Sequence, residues 1–219
     1  MRFENRIKTI YFDLDGPILD VSRRYFFVHA NICRHLGIKY APDYKDYWRK
    51  KRMRMPFGEL IGFLEANTLV NRYVKEWVKQ IEKDSVLELD KVFPYVEKVL
   101  SYLKNKYDLV IVTQRRRRRT VLEEISKLNL KKYFKDILVG NNQKEEPHIS
   151  KYRAVIEYPG FNKNSVFVGD TEADINAAKM LKIRNIAVLS GIRNRGFLEN
   201  FEPDYIIKDI RGLVDEIGL

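Results

Sequence analysis

The sequence predicts an α/β fold in which a doubly wound parallel sheet carries an inserted helical cap. From Val92 onward, short apolar segments alternate with helical ones, the order typical of a parallel sheet covered on both faces. The apolar strand Ile10–Phe12 precedes this alternation and is assigned to the same sheet. The stretch between them shows helical spacing instead. We therefore expect a Rossmann-like core, residues 1–17 and 91–219, interrupted by an all-helical cap, residues 18–90.

The cap segment is predicted to consist of successive helices. Ser22 can cap a helix that runs to about Leu36 and ends at Gly37, because serine favours helix starts and glycine helix ends. A second helix is expected from about Phe57 to Asn67. A third is expected where apolar side chains share one face at helical spacing: Val70, Tyr73, Val74, Trp77, Val78 and Ile81.

The core segment reads as a regular alternation of helices and strands. The expected helices are Tyr95–Asn105, Thr120–Leu128, Ser150–Tyr158, Ala173–Leu181 and Asp209–Ile217. The expected strands are Leu109–Val112, Ile137–Val139, Val166–Val168, Asn185–Leu189 and Tyr205–Ile207.

Composition indicates a soluble cytoplasmic protein. The 219 residues can bury a full core, and 45% are hydrophobic while 32% are charged. No apolar run approaches the roughly 20 residues that a membrane span needs. The N-terminus lacks the apolar stretch of a signal peptide. Cys33 is the single cysteine, which excludes a disulfide framework and a cysteine metal site.

The net charge of +11 favours anionic partners but identifies none. Five consecutive arginines, Arg115–Arg119, are the most unusual feature of the composition. They surround a predicted helix start, where positive charge opposes the helix dipole. Arg115 or Arg116 is expected to reach substrate, and the others are expected to face solvent.

Two acidic motifs follow apolar strands. The strand Ile10–Phe12 runs into DLDGPILD, which contains Asp13 and Asp15, and the strand Val166–Val168 runs into GDTEAD, which contains Asp170 and Asp174. Ligands bind beyond the carboxyl ends of parallel strands, so the four carboxylates form one cluster if these strands are neighbours. Such a cluster suits Mg²⁺ and a phosphoryl group. Asp13 and Asp15 then provide a nucleophile and a proton donor, and Gly16 allows a tight exit from the strand.

Two further residues, a threonine and a lysine, complete a phosphate site. Thr113 ends the central strand and offers a hydroxyl donor close to a helix N-terminus, where free N–H groups bind phosphate. A lysine must hold the nucleophile and a phosphate oxygen, and either Lys151 or Lys144 can serve.

These motifs, in this order, resemble those of the haloacid dehalogenase superfamily of hydrolases, and in particular its phosphoglycolate phosphatase-like branch. DLDGPILD is similar to the first family motif, Thr113 in VIVTQR to the second, Lys151 or Lys144 to the third, and GDTEAD to the fourth. The resemblance extends over the whole chain. The helical insertion is similar to the cap that lies between the first two motifs in that branch.

The resemblance implies a Mg²⁺-dependent phosphatase for a small phosphorylated metabolite. Asp13 would be the phosphorylated nucleophile and Asp15 the general acid and base. The metal would be held by Asp13, Asp170, the main-chain carbonyl of Asp15 and, often through water, Asp174. The remaining site residues would contact substrate: Gly16, Thr113, Gln114, Arg115 and Lys144. In this chain Pro17 and Gln114 depart from the commoner motif residues, and the lysine lacks the frequent KPxP setting.

Two other readings stay open. A phosphomutase could use the same residues to pass the phosphoryl group to a sugar hydroxyl. A nucleic-acid-binding protein with an idle acidic site has only the basic run in its favour, and no recognised nucleic-acid module accompanies it. The identity of the substrate and the oligomeric state, including a homo-oligomer, are not determined by the sequence.

Overall fold

A six-stranded parallel sheet is the centre of the molecule. The computed structural model describes residues 7–40, 42–62, 68–140, 145–215 and 219. Within them the strand order is β5-β4-β1-β6-β7-β8, and every neighbouring pair in this sheet is parallel. Helices cover both faces, so the predicted fold class is confirmed.

The central strands consist almost entirely of buried residues, as expected of a parallel sheet covered on both faces. The strands of the large sheet are β1 (Thr9–Phe12), β4 (Asp108–Thr113), β5 (Asp136–Val139), β6 (Ser165–Gly169), β7 (Arg184–Val188) and β8 (Tyr205–Ile207). A separate antiparallel pair consists of β2 (Leu19–Asp20) and β3 (Lys91–Val92).

The helices fall into two groups along the chain. Those of the insertion are α1 (Ser22–His35), α2 (Tyr44–Arg52), α3 (Phe57–Leu60), α4 (Thr68–Gln80) and α5 (Asp84–Leu87). Those that flank the sheet are α6 (Val96–Leu103), α7 (Arg118–Lys127), α8 (Pro147–Ile156), α9 (Glu172–Leu181), α10 (Arg195–Glu199) and α11 (Gly212–Asp215). A 3₁₀ turn covers Lys131–Tyr133.

Most predicted elements are present, with ends displaced by a few residues. Helix α2 was not predicted, although Asp43 gives it an ordinary start because its side chain accepts a 2.8 Å hydrogen bond from the Asp46 amide. Helix α3 ends at Leu60, and residues 63–67 of the predicted helix lie outside the described part of the chain.

The two acidic motifs follow neighbouring strands. Strand β1 lies between β4 and β6, and Phe12 is in register with Ile111 on one side and Val168 on the other. Side chains alternate between the faces of this pleated sheet, so Phe12 and Tyr11 belong to different apolar clusters. The carboxyl ends of all three central strands therefore meet at one edge.

The insertion has its own apolar cluster, separate from those on the two faces of the sheet. Val28, Tyr47, Tyr73 and Trp77 are among its buried members. Its two ends are joined by the β2–β3 pair, so the chain leaves and returns at one place. None of the helices in the described ranges has the length and apolar character needed to span a bilayer.

Candidate active site

The predicted site residues converge at the carboxyl edge of the sheet. Asp13 follows β1, Thr113 ends β4 and Asp170 follows β6. The Asp13 amide donates a 2.9 Å hydrogen bond to the Val168 carbonyl, which extends the β1–β6 pairing by one residue. Short strands that stop in register thus bring together side chains from distant parts of the sequence.

Three buried carboxylates form a compact acidic cluster. Asp13, Asp170 and Asp174 each offer an oxygen atom, and these atoms all lie within 4.8 Å of one another. Asp170 is fully buried, and its Oδ1 has no hydrogen-bond partner among the described residues. A buried carboxylate oxygen without a donor is costly unless a cation occupies its free side.

The position of Asp170 depends on two glycines. Gly16 has a φ of +100°, and a Cβ there would lie 2.3 Å from Asp170 Cγ. A Cβ on Gly191 would lie 2.0 Å from Asp170 Oδ2, the oxygen that accepts a 2.5 Å hydrogen bond from the Ile192 amide. The backbone after β1 and after β7 therefore fixes one oxygen of Asp170 and leaves the other free.

Lys151 lies among the carboxylates. It projects from α8 and is buried, with its Nζ 2.7 Å from Asp13 Oδ2 and 2.5 Å from Asp174 Oδ1. The two carboxylates outweigh the effect of burial and raise the pKa of Lys151 above its usual value. The alternative lysine, Lys144, lies outside the described residues.

The charge of this cluster suits a divalent cation. With all three carboxylates ionised and one ammonium among them, this buried cluster would carry two negative charges. Burial, partly offset by Lys151 and reinforced by the neighbouring carboxylates, raises the pKa of Asp13 to about 7. Burial and Asp13 likewise raise the pKa of Asp170 well above its usual range. A bound cation relieves this repulsion, and an all-oxygen donor set is the one that Mg²⁺ prefers.

Asp174 is the least available of the three acids. It is the third residue of α9, and its Oδ2 accepts hydrogen bonds from the Thr171 amide (3.0 Å) and hydroxyl (2.8 Å) in a capping box. Its Oδ1 binds Lys151. Both oxygens are engaged, which suits an indirect role at the metal better than direct ligation.

Asp15 lies beside the cluster but its carboxylate is turned to arginines. Arg115 Nη2 is 2.7 Å from Oδ1, and Arg24 Nη2 is 2.5 Å from Oδ2. Burial alone would raise the pKa of Asp15, but Arg115 and then Arg24 outweigh it and hold this pKa well below its usual range. Its side chain is separate from the three-carboxylate cluster, so only its main chain remains as the predicted metal contact.

Thr113 and Gln114 line the cavity above the carboxylates. Thr113 is buried, and its Oγ1 accepts a 3.3 Å hydrogen bond from the Arg115 amide. Helix α7 begins only at Arg118, so Thr113 is separated from the helix N-terminus by an irregular turn.

The arginine run divides into three environments. Arg115 is buried against Asp15. Arg116 and Arg117 contact the insertion, through Glu82 at 3.3 Å and Asp84 at 2.6 Å respectively. Arg119 is exposed and pairs with Glu123 on its own helix. Arg116 and Arg117 therefore connect the core to the insertion and do not pair with the acidic cluster.

A cavity of about 290 Å³ lies between the core and the insertion. Its floor includes Asp13, Asp15, Thr113 and Lys151, and its roof includes Tyr25 and Trp77 of the insertion. Elsewhere Arg52 of α2 joins the insertion to the core by donating a 2.7 Å hydrogen bond to the Leu189 carbonyl. The volume admits a small molecule.

Several site residues were not found from the sequence. They are Arg24, Asp90, Glu124, Glu172, Gly191, Ile192 and Arg193. Glu172 is held by Arg193 at 2.9 Å and by Arg54 at 3.0 Å on the cavity wall. The Ser190-Gly191 pair after β7 was an available turn signal. The sequence positions of Arg24 and Asp90 do not indicate that Arg24 would contact Asp15, or that Asp90 would contact the arginines that pair with Asp15.

Comparisons with known proteins agree with this geometry. Residues 10–188 match the family model described as haloacid dehalogenase-like hydrolase. The chain is 23% identical over 217 residues to pyrophosphatase PpaX of Oceanobacillus iheyensis, covering 97% of each chain. It is 27% identical over 198 residues to phosphoglycolate phosphatase of Aquifex aeolicus, covering 84% of this chain and 86% of the relative.

The fold is also similar to that of solved structures. A haloacid dehalogenase-like family hydrolase of Streptococcus pneumoniae superimposes with a TM-score of 0.78 at 20% identity. The match covers 96% of this chain and 98% of that one. At this identity the likeness concerns the fold.

Proposed function

This chain belongs to the family of haloacid dehalogenase-like hydrolases, and we propose that it is a Mg²⁺-dependent phosphatase of a small phosphorylated metabolite. The observation that carries this proposal is Asp13 with its surroundings. Its carboxylate is paired with Lys151, clustered with Asp170 and Asp174, and open to a cavity of small-molecule size. Relatives named as a pyrophosphatase and a phosphoglycolate phosphatase support a phosphorylated substrate.

In the first step a carboxylate oxygen of Asp13 attacks phosphorus. The bond from phosphorus to the leaving oxygen breaks, and that oxygen takes a proton from Asp15. Asp15 is ionised while Arg24 and Arg115 hold it, but the substrate phosphoryl group brings negative charge next to it. Like charges raise a carboxyl pKa, so substrate binding favours the protonated form.

In the second step water cleaves the phospho-aspartyl group. Asp15, now a carboxylate, accepts a proton from the attacking water, whose oxygen forms the new bond to phosphorus. The bond from phosphorus to Asp13 breaks, which releases inorganic phosphate and restores the Asp13 carboxylate.

The remaining site residues bind and neutralise charge. Lys151 would hold Asp13 and a phosphoryl oxygen, and Thr113 and Gln114, which line the same cavity, would donate hydrogen bonds to the other phosphoryl oxygens. Mg²⁺ held by Asp13, Asp170 and the Asp15 main chain, with Asp174 outside them, would lower the repulsion between a carboxylate and a phosphate.

We infer further that residues 18–90 act as a cap on a core of residues 1–17 and 91–219. The separate apolar cluster of the insertion and its β2–β3 stem support this division. Because both parts line the cavity, closure would exclude water and restrict substrates to small ones.

The proposal is tested with p-nitrophenyl phosphate and a panel of small phosphate esters, with Mg²⁺ or with EDTA. We expect hydrolysis that requires Mg²⁺ and falls by at least about a thousandfold in Asp13→Asn, because the amide cannot act as nucleophile. Asp108→Asn is the matched control, since Asp108 is exposed at the opposite end of β4. Activity that survives in Asp13→Asn would contradict the mechanism.

A further inference from the structure

The carboxylate of Asp15 is held by two arginines that come from different parts of the chain. Arg24 lies on α1 of the insertion, and Arg115 lies on the turn that follows β4 of the core. Arg115 Nη2 donates to Oδ1 at 2.7 Å, its Nε lies 3.2 Å from both oxygens, and Arg24 Nη2 donates to Oδ2 at 2.5 Å. Both oxygens are therefore engaged.

Arg24 is buried as completely as the apolar residues of the core. Only 1% of it is exposed, although arginine is rarely buried unless it is paired. Besides Asp15, its Nε lies 3.1 Å from Asp90 Oδ1 and its Nη1 donates a 3.4 Å hydrogen bond to the Ile81 carbonyl. Ile81 follows α4, and Asp90 precedes the return to the core. One guanidinium thus joins the beginning and the end of the insertion to Asp15.

Arg115 is fixed from behind by two further acids. Its Nη2 donates to Asp90 Oδ2 at 2.8 Å and its Nη1 to Glu124 Oε2 at 3.1 Å. Asp90 therefore pairs with both arginines that hold Asp15. The contact between Arg24 Nε and Asp90 Oδ1 is an ion pair without hydrogen-bond geometry. The orientation of the Asp15 carboxylate therefore rests on the hydrogen bonds that Arg24 and Arg115 donate to its two oxygens.

The orientation of that carboxylate matters because proton transfer requires a defined geometry. A free aspartate rotates about two side-chain bonds, and a misplacement of about 1 Å in an active site can cost on the order of a hundredfold in rate. Asp15 lines the cavity with Asp13, so its orientation decides whether it reaches the leaving oxygen.

We propose that Arg24 is a positioning residue that holds Asp15 in its working orientation and makes this orientation depend on the docked insertion. The inference rests on the proposed function, since it concerns the acid and base of that reaction. Arg24 lines the cavity, so it could instead bind the substrate directly. The two roles differ in what happens when Asp15 is removed.

The test is a double-mutant cycle on p-nitrophenyl phosphate hydrolysis. Arg24→Met is made in the wild-type chain and in Asp15→Asn, and kcat and KM are measured for all four proteins. We expect a fall in kcat on the order of a hundredfold in the wild-type background, with KM changed less than about threefold. In the Asp15→Asn background the same substitution should change kcat less than about threefold, because the group that Arg24 positions is gone.

Arg193→Gln is the matched control. Arg193 is also a buried guanidinium on the cavity wall, but it pairs with Glu172 and with neither Asp15 nor Asp90. Any loss of activity in Arg193→Gln should be the same in both backgrounds. Arg24→Lys adds a rescue test, because an ammonium keeps the charge but cannot bridge Asp15 and Asp90 as a fork. We expect it to recover only part of the lost kcat.

Loss of Arg24 leaves two buried carboxylates with one guanidinium fewer, so the fold must be followed as well. Thermal unfolding by circular dichroism is recorded for each variant. If Arg24→Met does not fold, the double variant Arg24→Met/Asp90→Asn, which removes one charge of each sign, is used in its place. For that variant, Asp90→Asn serves as the reference in both backgrounds.

The outcomes are distinct. Equal losses in the two backgrounds, or a loss expressed mainly in KM, would overturn the positioning role and indicate direct contact with substrate. Equal activity of Arg24→Met and wild type would also overturn it. If the wild-type protein hydrolyses no phosphate ester, the proposed function fails first, and this inference fails with it.

Discussion

At the scale of the residue, the chemistry of the site depends on which charged side chains have a partner of opposite charge and which do not. Lys151 neutralises part of the charge on Asp13 and Asp174, while the buried Oδ1 of Asp170 has no donor among the described residues. Arginine is used where two carboxylates must be bridged, at Asp15 and Asp90, and lysine where a single compact charge must lie between oxygens. The proposed nucleophile, Asp13, and the proposed acid and base, Asp15, thus differ in the cations that they pair with.

A buried histidine in the insertion gives a prediction about pH. His29 is fully buried, and its Nδ1 lies 2.8 Å from the Tyr73 hydroxyl. Burial, assisted by the charge of Lys51, lowers the pKa of His29 to about 4 from 6.5. Between about pH 7 and pH 4 the unfolded chain therefore binds a proton at His29 that the folded chain does not bind. The free energy of unfolding falls as the pH is lowered through this range.

We expect the free energy of unfolding of the wild type to fall by about 2 kcal/mol more than that of His29→Gln between pH 7 and pH 5. Urea titrations at the two pH values measure this difference. His35→Gln is the control, because His35 is exposed at the end of the same helix. Parallel pH profiles for wild type and His29→Gln would show that His29 is charged in the folded protein.

At the scale of the element, the turn after β4 joins the core to the insertion. The Arg116 amide donates to Glu82 at 2.9 Å, its Nη2 donates to the Val78 carbonyl at 2.6 Å, and Arg117 pairs with Asp84. These contacts hold the segment between α4 and α5, the part of the insertion that carries Ile81 and Glu82 into the cavity wall.

We predict that Arg116→Gln loosens this attachment. Loss of the partly buried pair with Glu82 and of the bond to Val78 should cost about 1 kcal/mol of local stability and speed amide exchange in residues 78–84 roughly fivefold. Hydrogen–deuterium exchange read by mass spectrometry measures it. Arg119→Gln provides the comparison, since Arg119 is exposed and pairs within its own helix. The attachment is refuted if both variants exchange at the same rate.

The helix and strand pattern was predictable because apolar periodicity dominates it. The neighbouring positions of Asp13 and Asp170 followed from the same reasoning, since parallel strands end at a common edge. Apolar periodicity does not encode the ends of helices, the extra helix α2 or the β2–β3 stem. These features depend on local caps and on where the insertion returns to the core.

Side-chain partners were harder to predict than backbone positions. Arg115 was expected near the site, but its pairing with Asp15 depends on Asp90 and Glu124, which reach it only through the folded insertion and α7. Arg24 lies nine residues from Asp15, and nothing in that spacing specifies that the helix would return a guanidinium to the motif. The sequence left Lys151 and Lys144 as alternatives; Lys151 lies beside Asp13, and Lys144 lies outside the described residues.

At the scale of the whole molecule, the cavity at Asp13 lies between the insertion, which has its own apolar cluster, and the core, whose sheet has apolar clusters on both faces. The net charge of +11 coexists with a cavity whose described cations, such as Arg24, Arg115 and Lys151, are paired with acids. An anionic ligand that enters must therefore compete with these acids or bring a cation with it. A magnesium complex of a phosphate ester would meet this requirement, because the metal would bind in the acidic cluster while the ester would accept hydrogen bonds from the surrounding donors.

The most direct test is a crystal structure with Mg²⁺ and beryllium fluoride, a mimic of a phosphoryl group on a carboxylate. The account predicts beryllium bonded to an Asp13 oxygen, and Mg²⁺ at about 2.0–2.1 Å from carboxylate oxygens of both Asp13 and Asp170. Beryllium on another carboxylate, or a metal bound without Asp13 or without Asp170, would contradict it.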